Sequence, residues 1–152
     1  VAPMVLTLQV LPDMLKRNRG HICNIASAGG MLGNPKMSVY GASKWAVIGW
    51  SESMRIELQQ RKANVHVTTV APYFISTGMF QGVRSIFPIL KPEPTAKKII
   101  RAIERNTIFA GIPFGYHFIR FWQAILPLRV FDWLFGTVFG IYRTMDHFTG
   151  RK

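Results

Sequence analysis

Acidic residues are scarce. The 152-residue chain has 7 Asp and Glu against 19 Lys and Arg, a formal charge of +12, which raises nucleic acid and anionic membrane as partners. The basic residues are scattered, however, with Lys16, Arg17 and Arg19 in one place, Arg61 and Lys62 in another, and Lys97, Lys98 and Arg101 in a third. No nucleic-acid motif accompanies them, so no nucleic-acid partner is expected. Cysteine is scarcer still. Cys23 stands alone, which excludes a disulfide within the chain and makes a reducing, cytoplasmic location the expectation. The histidines, His21, His66, His117 and His147, lack metal-ligand spacing, so no metal is expected. Residues 1–15 lack the basic start and small-residue cleavage site of a signal peptide, and Asp13, Lys16 and Arg17 end their apolar run too early for a membrane span.

Hydrophobic periodicity supplies the fold. Residues 1–15 carry Val5, Leu8 and Leu11 on one stripe, predicting a helix buried on much of its circumference and closed by Gly20. Residues 21–26 are short, apolar and flanked by breakers, as expected of an interior parallel strand. Gly29, Gly30, Gly33, Asn34 and Pro35 make a loop, to which the glycines bring dihedral freedom. Ser38 is the expected N-cap of a long helix whose core stripe is Val47, Trp50, Met54 and Leu58. Residues 65–71, rich in Val and Thr and ended by Pro72, read as a second strand. Pro94 and Thr95 open a further helix to about Asn106, with Ile99, Ile100 and Ile103 inward.

Two strands joined by one long helix form a right-handed parallel βαβ unit. Ligands bind beyond the carboxyl ends of such strands. Ser27 follows the first strand and Tyr73 to Thr77 follow the second, so both loops share one rim. Tyr40 and Lys44, one turn apart at the start of the connecting helix, project from one face toward that rim. A free phenol titrates near ~10, and a fixed cation beside it favours the phenolate. Tyr40 is thereby a candidate general acid/base.

Ser27, Tyr40 thirteen positions on and Lys44 four further resemble the catalytic residues of the short-chain dehydrogenase/reductase superfamily. Pro72-Tyr73-Phe74-Ile75-Ser76-Thr77 is similar to that family's Pro-Gly-x-Ile-x-Thr segment, with Tyr73 in place of the usual Gly. This departure, with Thr77-Gly78-Met79-Phe80, resembles the branch containing retinol dehydrogenases and 17β-hydroxysteroid dehydrogenase-like enzymes. The resemblance implies an α/β fold, the C-terminal part of a Rossmann-like doubly wound parallel sheet followed by an aromatic-rich helical tail. It also implies hydride transfer with NAD or NADP, interconverting a hydroxyl and a carbonyl on a retinoid, steroid or long-chain alcohol. Catalysis would fall to Ser27, Tyr40 and Lys44, and cofactor binding to Tyr40, Lys44, Pro72, Tyr73, Ile75 and Thr77. The family's Gly-rich dinucleotide loop and catalytic Asn do not occur. Because the chain starts at Val1 inside a helical pattern, it reads as the C-terminal portion of a longer protein, inactive by itself.

Two parts follow: a partial catalytic domain at 1–110 and a tail at 111–152. Eleven aromatic residues fall in the tail, whose longest charge-free run, from Trp133 to Tyr142, has ten residues. Aromatics with flanking Arg suit a segment lying on a membrane surface instead of crossing it. A helical hairpin packed on protein is the other reading of the tail. Residues 86–90 stand where family members carry a substrate lid, an ordinary surface loop packed on the core being the other reading. A homo-oligomer is compatible with all of this. The rival reading for the whole chain is a non-catalytic, membrane-associated interaction module derived from a dehydrogenase fold.

Overall fold

The computed structural model describes residues 2–150; Val1, Arg151, Lys152 and the side chains of Tyr116 and His117 lie outside the described residues. Three parallel strands, β1 (Gly20–Ile25), β2 (Val65–Pro72) and β3 (Phe109–Ile112), form a sheet in the order β1-β2-β3. Helix α1 (Ala2–Lys16) precedes β1, α2 (Ser38–Gln60) crosses from β1 to β2, and α3 (Pro92–Glu104) crosses from β2 to β3. Cα pairing runs from Gly20 with Val65 to Ile25 with Val70, and from Thr69 with Phe109 to Pro72 with Ile112.

β2 is central, and only His66 along it is exposed, the pattern of a parallel strand covered on both faces. Val70 has no exposed surface, a burial worth about 1.5–3 kcal/mol. The buried Thr68 hydroxyl donates to the Thr107 carbonyl at 2.7 Å. Polar groups also fix α2 on β1: buried Asn24 donates to the Ser51 hydroxyl at 2.9 Å, and Ser51 donates to the Val47 carbonyl at 2.6 Å. Both side chains are thereby satisfied, which a buried polar pair requires.

Several expectations are corrected. α1 is not buried around its girth: Val5 and Leu8 are exposed, Leu8 by 70%. It meets the sheet through Leu11, Met14 and Leu15, which pack against the cluster of Ile22, Met54, Leu58, Val65 and Val67. Asn18, not Gly20, ends α1. Its φ of 46° and the bonds from Asn18 N–H to Leu15 and Arg19 N–H to Met14 close the helix in a left-handed cap. Gly20 opens β1, where a Cβ would stand 2.6 Å from the Met14 sulfur. Cys23, in β1, is only half-buried, and burial pushes its thiol pKa up.

Ser38 is the first residue inside α2, after a Met37 cap that makes no side-chain bond. The buried stripe of α2 is Ile48, Ser51, Met54 and Leu58, with Val47 and Trp50 partly covered beside it. α3 starts at Pro92, two residues early, and buries Thr95 and Ala102 while Ile100 faces outward. β3 has no counterpart in the periodicity, because four residues with a glycine give too short a signal. Residues 110 and 111 are both within it.

Beyond β3 the chain forms α4 (Ile119–Ile125), α5 (Leu128–Phe131) and a π-helical stretch, Asp132–Val138. Ile119, Phe131, Ile141 and Met145 join Ala26, Met31 and Ala71 in the main core. The tail is therefore packed on the sheet domain through one face. No helix among the described residues is long and apolar enough to cross a membrane.

Candidate active site

Ser27 stands two residues beyond the end of β1 and caps a 3-10 turn, Ala28–Gly30, accepting the Gly29 N–H at 3.2 Å. Its own hydroxyl proton points at the Pro72 carbonyl, 3.5 Å away. A contact that long is a weak hydrogen bond, so the proton is available to a better acceptor in the cleft.

Tyr40 and Lys44 lie in the first turns of α2. The Lys44 ammonium is 5.7 Å from the centre of the Tyr40 ring and donates to the Ile25 carbonyl at 3.1 Å. Burial lowers the pKa of Lys44 from the usual lysine value, because desolvation penalises the charged form. Phe80 packs edge-on to Tyr40 at 5.9 Å. The register of α2 on this loop depends on Gly30: a Cβ there would lie 2.7 Å from the Lys44 carbonyl carbon and 2.8 Å from Ile48 Cδ1. The glycine is needed for space, and none of Gly29, Gly30 and Gly33 has a positive φ. This corrects the expectation of dihedral freedom.

The second rim follows β2. The Tyr73 N–H is committed to the sheet, donating to Ile112 at 2.8 Å, and the Tyr73 hydroxyl meets Ser85 at 2.6 Å. Ile75 makes a parallel bridge with Leu90 through the Ser76 N–H and the Phe74 carbonyl. That geometry turns Ile75's own N–H to the opposite side from Leu90. The Thr77 N–H donates to the Ile75 carbonyl at 2.8 Å, with the Thr77 side chain in an exposed position.

Ser27, Tyr40, Lys44, Pro72, Tyr73, Ile75 and Thr77 all line one cavity of ≈ 230 Å³. It lies beyond the carboxyl ends of β1 and β2, where open parallel sheets bind ligands. Residues 86–90, read as a lid, do not line it, whereas Met79 and Phe80 do. Other lining residues, among them Asn34, Met37 and Ile141, carry no site signal in the sequence. Asn34 donates to Thr144 at 2.9 Å, and Ile141 comes from the tail, so no local pattern announced either contact. No cluster of His, Cys, Asp or Glu able to hold a metal occurs among the described residues.

The profile of the family described as short chain dehydrogenase matches residues 1–86. This chain belongs to the short-chain dehydrogenase family. It is 38% identical over 147 residues to epidermal retinol dehydrogenase 2 of Mus musculus, covering 93% of this chain and 47% of that one. To retinol dehydrogenase 10-A of Danio rerio it is 36% identical over 130 residues, 81% of this chain and 38% of the other. These relatives place it in the retinol dehydrogenase-like branch of the short-chain dehydrogenases. The chain spans about half the length of the curated relatives it matches. A short-chain dehydrogenase from Sphingobium yanoikuyae, solved in complex with NADPH, superposes with a TM-score of 0.67 at 25% identity, over 82% of this chain and 48% of the other.

Proposed function

We propose that this chain carries the catalytic half of an NAD(P)-dependent oxidoreductase that interconverts a hydroxyl and a carbonyl on a lipophilic substrate. The observation that carries this reading is the convergence of Ser27, Tyr40 and Lys44 on one cavity at the sheet's carboxyl edge. In it, Tyr40 exchanges the proton of the substrate hydroxyl. Ser27 donates to the reacting oxygen the hydrogen bond it now spends weakly on Pro72. The Lys44 charge stabilises negative charge developing on the Tyr40 oxygen.

The nicotinamide end of NAD(P) fits the remaining donors. An ammonium has three N–H groups; one of Lys44's is used on Ile25, and the others suit ribose hydroxyls. Pro72, Tyr73, Ile75 and Thr77 would hold the carboxamide, with Ile75's N–H as a donor to it. When bound, the nicotinamide supplies or accepts the hydride. NADPH in the Sphingobium relative supports this choice of cofactor.

Retinol in the names of the curated relatives supports a retinoid as substrate, with a steroid or a long-chain alcohol as further candidates of the same lipophilic class. Functionally we divide the chain into a catalytic part, 1–110, and a membrane-contacting tail, 111–152. Phe121, Trp122, Ile125, Leu128 and Trp133 are exposed there, Leu128 by 73%, with Arg120 and Arg129 among them. Apolar side chains flanked by Arg suit the headgroup boundary. The test is a panel of retinoid, steroid and long-chain alcohols offered to the naturally expressed protein with NAD or NADP, followed by nicotinamide absorbance. Turnover of none of them with either cofactor would remove the proposal.

A further inference from the structure

A second cavity, ≈ 370 Å³, opens against the tail, walled by Phe87, Phe118, Trp122, Leu134, Phe135 and Phe139. Its lining includes no charged side chain. Apart from the Trp122 indole N–H its side chains offer a ligand no polar partner, so the cavity favours an apolar occupant. Ile141, 7% exposed, lines both this cavity and the catalytic one. The Tyr73 ring on the catalytic side and the Phe87 ring on the other stand 6.2 Å apart and continue the same partition.

Resting on the dehydrogenase reading, we propose that the second cavity holds the hydrocarbon chain of the substrate whose hydroxyl lies at Ser27 and Tyr40. Ile141 is then the residue that sets chain specificity. Ligand sites usually measure ~300–1,000 Å³. The catalytic cavity alone falls below that range, and the two together fall within it. Phe118 and Trp122 at the mouth are 51% and 42% exposed, on the same segment as the apolar side chains offered to a membrane. A lipid alcohol therefore meets this cavity before it meets Tyr40.

Two measurements on the naturally expressed protein decide it. Leu134→Trp fills the second cavity from its wall, and the ratio of kcat/KM for hexadecanol to that for butanol should fall about 10-fold or more. In the second, a brominated long-chain alcohol should quench tryptophan fluorescence saturably, at one per chain, and Trp122→Phe should remove most of that quenching. An unchanged hexadecanol-to-butanol ratio, or quenching that survives Trp122→Phe, overturns the proposal. If the protein oxidised neither alcohol, the dehydrogenase reading would fall, and the quenching arm would still decide what the cavity holds.

Discussion

The two cavities differ in what made them. The catalytic one is assembled at strand ends and a helix start, with a hydroxyl, a phenol and an ammonium on its wall. The apolar one is assembled by a tail of short helical pieces whose aromatic rings stack on one another, such as Phe131 on Phe135 at 4.4 Å. Regular elements position a few polar groups, as chemistry demands; an irregular tail supplies area, as solvation of a lipid demands. The difference predicts that substitutions on the two sides fail differently.

On the catalytic side the largest effect is expected from Tyr40→Phe in the naturally expressed protein. It should cut kcat by roughly 10²–10⁴ and leave NAD(P) binding, read by fluorescence titration, nearly intact. Retained turnover would take Tyr40 out of the mechanism. Ser27→Ala should lower kcat by roughly 10²–10³, the usual loss for one donor to a developing oxyanion, in steady-state kinetics.

The tail should respond in stability and location. Phe131, 4% exposed, is a core residue and not a membrane contact, so Phe131→Ala should cost about 3–5 kcal/mol in denaturant unfolding. Replacing the exposed Phe121, Trp122 and Trp133 with Ser should instead leave the fold intact and abolish sedimentation with anionic liposomes. Undiminished sedimentation of that variant would favour a protein partner for this surface.

Gly30→Ala tests the junction of loop and helix. The added Cβ must displace α2 at Lys44, costing about 1–3 kcal/mol and slowing turnover; an unchanged kcat would show that α2 tolerates the shift.

The smallest effect concerns Tyr142, whose hydroxyl donates to Asp132 at 2.6 Å. Burial first, then this bond and the carboxylate charge, push its pKa up to about 12 from 10.0. The folded state therefore holds a proton that the unfolded state releases first. Tyr142's contribution is complete below pH 10.0 and is lost as pH rises toward about 12. Tyr142→Phe should flatten that part of the stability profile, and an identical profile would refute the coupling.

Legibility in the sequence followed the range of the interactions. β1, α2 and β2 were readable because burial repeats along each of them, and Tyr40 and Lys44 because helical spacing places them together. Asn34 and Ile141 were not, because 110 residues separate Asn34 from its partner Thr144 and Ile141 reaches the cavity only when the tail folds back. Phe131 and Trp133 look alike in sequence, yet one is core and the other surface, since a short π-helical stretch has no long period from which to infer a face.

By itself, then, the sequence determined the parallel βαβ unit and the residues at its carboxyl edge, since backbone periodicity and strand direction fix those locally. Tertiary structure alone decided which aromatic rings turn inward, that glycine at position 30 serves as clearance for Lys44, and that Ile141 divides two cavities. Each of these depends on side-chain volumes meeting from distant parts of the chain, which no local pattern encodes.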